Sequence, residues 1–236
     1  MKLMTHVVIG YPSLEHTYDR VKRMVEAGVD MIELQIPFSD PLADGPAITA
    51  ANQQALKQGV TVDHCIQFIN QVTQEFALPF IVIGYYNTLL HHDINAFKSA
   101  AAITFPDIPV TEEPYEHYLK QAHQVGLKVI QLVSPATTPE RLQQIAHVAE
   151  YYVYCVARYG ITGEGENYQY LKDYILNVKK FISLPLAVGF GIRSPEQLQV
   201  LDGLADIAVV GSALLPYDGE DLTRQLTALC AIPNHQ

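Results

Sequence analysis

Met31-Ile32-Glu33-Leu34-Gln35-Ile36-Pro37 sets a carboxylate in the middle of an apolar run, and the loop after it, Phe38-Ser39-Asp40-Pro41-Leu42-Ala43-Asp44-Gly45-Pro46, supplies two more. A run so apolar reads as a strand buried on both faces, where an ionised side chain costs several kcal/mol unless it is paired or neutral. Burial raises a carboxyl pKa towards the range where Glu33 both gives and takes a proton near neutrality. Asp44, in a Gly/Pro loop with free backbone donors, is expected to stay ionised, so the two form an acid/base pair with split roles. The alternative for Glu33 is a purely structural tie to an arginine or a backbone amide.

Outward from that segment, short apolar runs alternate with helix-period stretches, the pattern of βα units around a parallel sheet. Eight strands are predicted, at Thr5–Ile9, Met31–Ile36, Phe80–Tyr85, Ala102–Phe105, Lys128–Val133, Tyr151–Val156, Leu184–Val188 and Ile207–Val210, with helices such as Leu14–Ala27, Glu112–Gln124 and Pro139–Ala149. Eight such units close into a single (β/α)8 TIM barrel over residues 1–236; a doubly wound open sheet is the competing arrangement, because periodicity does not separate the two. A chain of 236 residues with 49% hydrophobic content buries a core large enough for one such domain.

The formal net charge of −10 and the lack of a Lys/Arg run exclude a nucleic-acid backbone or an anionic membrane as partner. Cys65, Cys155 and Cys230 have neither CxxC nor metal-ligand spacing, the N-terminus has no signal-type apolar region, and no apolar stretch reaches the ~18 residues of a membrane span. A reduced cytoplasmic protein is the expectation. His91-His92-Asp93 reads as a polar turn and not a metal site.

In a barrel the chemistry lies at the C-terminal ends of the strands. Gly189-Phe190-Gly191 after the seventh strand and Gly211-Ser212 after the eighth fit a phosphate cradle, in which glycine lets backbone N–H groups approach the anion and a following helix adds its dipole. Gly163 completes it from the sixth loop. Arg193 is either a rim charge or a solvated helix-start arginine. The sixth loop, with Arg158, Gly160, Thr162, Gly163 and Gly165, reads as a lid or as an ordinary mobile loop. Tyr154, at the end of the sixth strand, either bonds Glu33 or fills the barrel.

Taken in order, IGYPS, MIELQIPFSDPLADGP, IGYYN, PDIP, ARYGITG, AVGFGI and VVGSAL span nearly the whole chain. As a set they closely resemble the tryptophan synthase alpha family, which cleaves indole-3-glycerol phosphate to indole and glyceraldehyde 3-phosphate. The resemblance implies that Glu33 is the general acid/base and Asp44 the carboxylate that holds the indole N–H. It implies substrate contacts at Tyr85, Tyr154, Thr162, Gly163, Gly191, Gly211 and Ser212, with Thr162 latching to Asp44 as part of a lid that includes Arg158 and Gly160. No metal or organic cofactor is implied for this chain; pyridoxal phosphate belongs to a beta subunit, met through Pro37, Asp40, Asn87, Asp107 and Pro109 in an expected alpha2beta2 assembly.

The chain departs from the family pattern at several places. No N-terminal helix of the kind that usually precedes the first strand is expected ahead of Thr5. His6, Val8 and Tyr11 stand where an aromatic residue, a Thr-like residue and an Asp are usual, and Gln35 replaces a usual Gly. The region Phe97–Asp107 is short, leaving little room for a full helix in the third βα unit. Two other functions stay open: a stand-alone indole-releasing lyase and, in view of the altered first strand and Gln35, a non-catalytic allosteric partner of a beta subunit.

Overall fold

The computed structural model describes residues 1–90, 92–156, 166–189, 191–192 and 194–231. Eight strands run parallel in sequence order and close on themselves: β1 (Lys2–Val8), β2 (Met31–Gln35), β3 (Phe80–Ile83), β4 (Ala102–Thr104), β5 (Lys128–Val133), β6 (Val153–Val156), β7 (Leu186–Gly189) and β8 (Ile207–Val210). Closure is made by β1 against β8, from Lys2 opposite Ile207 to Thr5 opposite Val210, which rules out the open sheet. β1 begins earlier than the expected Thr5, because pairing with β8 and the bond from Lys2 N–H to the Asp206 carbonyl draw Lys2–Met4 into the ladder.

The helices are α1 (Leu14–Glu26), α2 (Pro46–Lys57), α3 (Val62–Glu75), α4 (Tyr86–Leu89), α5 (Glu113–Glu116), α6 (Tyr118–Gln124), α7 (Pro139–Val148), α8 (Glu166–Lys179), α9 (Pro195–Gln199) and α10 (Gly219–Cys230). Local chemistry starts several of them. Ser13, Thr61 and Thr138 each accept a first-turn N–H at the N-caps of α1, α3 and α7. The single helix expected over Glu112–Gln124 is instead broken: His117 takes a left-handed φ of 55°, and the Glu113 carboxylate accepts from the N–H groups of Leu119 and Lys120 at 2.7 and 3.2 Å, capping α6 from the previous turn. Among the described residues between β3 and β4 there is only the one-turn α4 and a 3-10 turn at Ile94–Phe97, in line with the shortened third unit, and Phe97 is fully buried.

Alternation along parallel strands sends every second side chain into the bore. The lower bore is apolar, packed by Met4, Met31, Ile81, Ala102, Ile130, Tyr152, Ala187 and Ile207. Two residues further along each strand, the upper bore presents His6, Glu33, Ile83, Thr104, Leu132, Tyr154, Gly189 and Val209 around a cavity. A larger apolar shell, including Val21, Leu34, Phe68, Val82, Ile103, Leu142, Ile175 and Leu226, packs helices on the outside of the strands. The polar layer therefore sits on a solid floor.

Candidate active site

Glu33 is 1% exposed and lies in the upper bore. The β1–β2 register sets it beside His6, and His6 Nδ1 is 3.2 Å from Glu33 Oε2. That contact supplies the partner which an apolar strand demanded for a carboxylate, and it comes from a histidine rather than an arginine or an amide. Glu33 Oε1 and His6 Nε2 are both buried without a hydrogen-bond partner, so each keeps bonding capacity for a ligand.

Asp44 is half-buried, and its partners are side chains. Gln35 Nε2 donates to Asp44 Oδ2 at 2.6 Å and Asn52 Nδ2 donates to the same oxygen at 3.4 Å. The expectation of an ordinary loop carboxylate held by backbone donors is thus corrected: burial pushes the Asp44 carboxyl above its usual value, against the opposing pull of Gln35, His6, Tyr85 and Asn52. The loop is built to hold it. Asn52, fully buried on α2, accepts the Phe38 N–H at 2.9 Å and donates to the Ile48 carbonyl at 2.8 Å. Tyr85 accepts the Ala43 N–H at 3.0 Å and stacks on Phe38 at 4.8 Å. Tyr85, expected to contact substrate, stands behind the cavity wall as a buried prop for the Asp44 loop: its ring stacks on Phe38, and its hydroxyl accepts from Ala43 and bonds Asp44.

The cavity encloses about 260 Å³, near the lower end of small-molecule sites. Besides Glu33, His6 and Asp44, its wall includes Tyr154, Gly191, Gly211 and Ser212, so four of the expected contact residues meet here. A Cβ on Gly189 would meet Tyr154 Oη at 2.5 Å, and the absence of a side chain there is what admits the phenol to the bore. Similarly a Cβ on Gly211 would press His6 Cβ at 3.2 Å. Burial pushes the Tyr154 phenol well above its usual value, with the charges of Glu33 and Asp44 adding to it, so at neutral pH it is a donor. The helix after Gly211 is a single 3-10 turn, Ser212–Leu214, and α10 starts only at Gly219. The expected dipole of a full helix is therefore missing from the cradle, leaving the backbone N–H groups as its donors.

Arg158, Gly160, Thr162, Gly163 and Arg193 lie outside the described residues. Of the expected partner contacts, Asp40, Asn87, Asp107 and Pro109 are exposed on the loops after β2, β3 and β4, while Pro37 is buried and unavailable to a partner. Leu42, 90% exposed, and Leu90, 49% exposed, join that surface. A larger cavity of about 410 Å³ opens outside the bore between β4, β5 and α7, and it holds no second carboxylate pair. Among the described residues no group of three or more His, Cys, Asp or Glu is placed to hold a metal ion.

Sequence reasoning noted His6 and Gln35 only as departures and missed Asn52. The signal for the first two was present in the alternation: if Glu33 points into the bore, so does Gln35, and so does the β1 residue opposite Glu33.

This geometry agrees with known proteins. A family model described as "Tryptophan synthase alpha chain" matches residues 1–230. The tryptophan synthase alpha chain of Syntrophotalea carbinolica is 42% identical over 217 residues, covering 89% of this chain and 85% of the relative. That of Desulforapulum autotrophicum is 42% identical over 220 residues, covering 90% and 86%. The crystal structure of tryptophan synthase subunit alpha from Legionella pneumophila superposes with a TM-score of 0.87 at 28% identity, covering 97% of this chain and 91% of that one. A tryptophan synthase structure from Mycobacterium tuberculosis superposes with a TM-score of 0.87 at 28% identity, over 98% and 92% of the two chains. With a matching sequence model over nearly its full length, a shared barrel and a carboxylate pair at the mouth of the bore, the chain belongs to the tryptophan synthase alpha chain family.

Proposed function

We propose that this chain cleaves indole-3-glycerol phosphate to indole and glyceraldehyde 3-phosphate in tryptophan biosynthesis, as the alpha subunit of tryptophan synthase. The observation that carries the reading is the free Oε1 of Glu33, buried in the wall of a cavity that also holds Asp44 and a glycine-lined rim.

The bond to be broken sets the task. Carbon–carbon cleavage beside an indole ring needs C3 protonated, so that the ring accepts the electrons of the breaking bond. Glu33 Oε1 gives that proton and then takes one from the side-chain hydroxyl as the aldehyde forms, a role worth ~10²–10⁴-fold. Asp44, steadied by Gln35 and Asn52, accepts the indole N–H and stabilises the positive charge that develops on it. The backbone at Gly191, Gly211 and Ser212 receives the phosphate. None of these steps calls for a metal or an organic cofactor in this chain.

A pyridoxal-phosphate-dependent beta subunit is the proposed partner. Its docking face is the set of loops bearing Asp40, Leu42, Asn87, Leu90, Asp107 and Pro109, where two large apolar side chains stand in solvent. No described helix is long and apolar enough to cross a membrane. Three free thiols, at Cys65, Cys155 and Cys230, suit a reducing cytoplasm.

The deciding experiment follows indole release from indole-3-glycerol phosphate, with and without a beta subunit, for wild type and Glu33→Gln. Wild type releases indole, and Glu33→Gln, which keeps shape but loses the transferable proton, falls by ~10²-fold or more with its circular dichroism unchanged. A variant with more than about a tenth of wild-type activity removes Glu33 from the chemistry, since general acid/base work accounts for at least ~10²-fold.

A further inference from the structure

Among the described residues, His6 is the one side chain in the cavity wall that can carry a positive charge. It is 8% exposed, and its ring is held in place from several sides. Nδ1 is 3.2 Å from Glu33 Oε2, and the Cβ and Cγ atoms pack under Gly211, where no side chain intervenes. A buried glutamate with both oxygens free has a broad terminal torsion. Tying Oε2 to His6 narrows that freedom and leaves Oε1 as the oxygen that faces the cavity unpartnered.

The electrostatics point the same way. The groups facing the His6–Glu33 pair are Gln35 on β2, Asp44 on the following loop, Tyr152 just before β6 and Tyr154 on it, with the Gly211 backbone on the β8 side. Two carboxylates flank the imidazole, and the two phenols lie on the Glu33 side of the pair. Burial by itself pulls His6 down, but the hydrogen bond and charge of Glu33, the charge of Asp44 and the Gln35 amide outweigh it and leave His6 above its usual value.

We propose that His6 is a positioning residue for the lyase reaction: it grips Glu33 through Oε2, dedicates Oε1 to proton exchange, and as imidazolium stabilises the carboxylate that exists between the two proton transfers. The inference rests on the reading of Glu33 as the acid/base. The balance is closed. Oε1 gives its proton to indole C3; the substrate hydroxyl then returns a proton to Oε1 as the carbon–carbon electron pair moves into the ring. His6 ends as it began.

The test uses His6→Phe and His6→Gln in the complex with a beta subunit, and isotope-labelled histidine in the isolated wild type and in Glu33→Gln. Loss of a charge-assisted bond predicts a fall in kcat of about 10–100-fold in His6→Phe, with KM within about threefold. The alkaline limb of the kcat profile moves in His6→Phe, because the imidazolium whose proton loss shapes it is gone. His6→Gln, which keeps a donor but no charge, recovers part of kcat and leaves the limb displaced. In nuclear magnetic resonance titration the His6 ring loses its proton above the ordinary histidine value, and at lower pH once Glu33 is Gln. Wild-type kcat and an unmoved limb in both variants reduce His6 to a space-filler, as does a His6 titration unaffected by Glu33→Gln. The titration needs no turnover. An inactive wild type overturns the lyase reading, while a paired His6 ring would still stand.

Discussion

Gln35 and Asp44 are joined by a 2.6 Å hydrogen bond from Nε2 to Oδ2, which ties the end of β2 to the loop that it feeds. The two residues are nine apart in sequence. Gln35 comes from the same strand as Glu33 and points into the same bore, so one strand supplies the proposed acid/base and the brace for the second carboxylate. A hydrogen bond to a charged group contributes about 1.5–3 kcal/mol. Gln35→Leu is therefore expected to lower kcat/KM for indole-3-glycerol phosphate by about 10–100-fold, with a smaller effect on thermal stability. Steady-state kinetics beside a melting curve check it, and a kcat/KM within twofold of wild type shows that Asn52 and Tyr85 suffice to hold Asp44.

The His6–Glu33 pair also makes stability depend on pH. His6 has its folded pKa raised, so the folded state binds the proton more tightly than the unfolded chain does. Its contribution is fully present below the unfolded value of about 6.5 and is lost as pH rises through the folded value. The stability gap between wild type and His6→Phe is expected to be widest near or below that unfolded value and to shrink on the alkaline side. Denaturant unfolding of both proteins over a pH series reads it; a gap that grows with pH contradicts the assignment.

Arg20 binds the segment after β8 to α1. Its guanidinium, 2% exposed, donates to the carbonyls of Leu214 and Tyr217 at 2.8 and 2.6 Å and to Asp218 Oδ1 at 2.7 Å. Arg20→Met fills much of the space but strands two carbonyls. A loss of about 3 kcal/mol is expected from those bonds, which is a fall in Tm of roughly 6–12 °C for a chain of this size. Because the same segment follows Gly211 and Ser212, weaker binding of glycerol phosphate in calorimetry accompanies it. An unchanged Tm shows that water replaces the guanidinium without cost.

Leu42 stands 90% exposed at the tip of the loop between Glu33 and Asp44. A side chain so placed has no folding role, so Leu42→Asp is expected to leave Tm within about 1 °C and basal lyase activity unchanged, in keeping with typical surface substitutions. In the proposed interface it meets the beta subunit, and a buried unpaired charge there costs several kcal/mol. The variant loses about tenfold or more in affinity for the beta subunit by titration calorimetry. Equal affinity places the docking face elsewhere on the barrel.

Much of this molecule was written locally. Apolar runs of four to six residues between helix-period stretches located every strand within a few residues, because a strand buried on both faces has little option but continuous hydrophobicity. A lone Glu in such a run marked a carboxylate in the cavity wall, since the cost of burying it is unavoidable. The glycines at Gly191 and Gly211 marked the rim of the cavity, as their lack of a side chain is itself the signal. What required tertiary structure was pairing. Closure depends on β1 meeting β8 across nearly the whole chain, and no local pattern encodes it. His117 broke a helix whose periodicity was intact, because the Glu113 carboxylate offered the next turn a better cap. Tyr85 moved from the site to its scaffold once Phe38 and Ala43 were found against it. His6 and Gln35 looked like departures from a family pattern and became partners of the two carboxylates. Side-chain period says only which way a residue points; which charge it meets there is decided by the register between strands, a property of the assembled barrel.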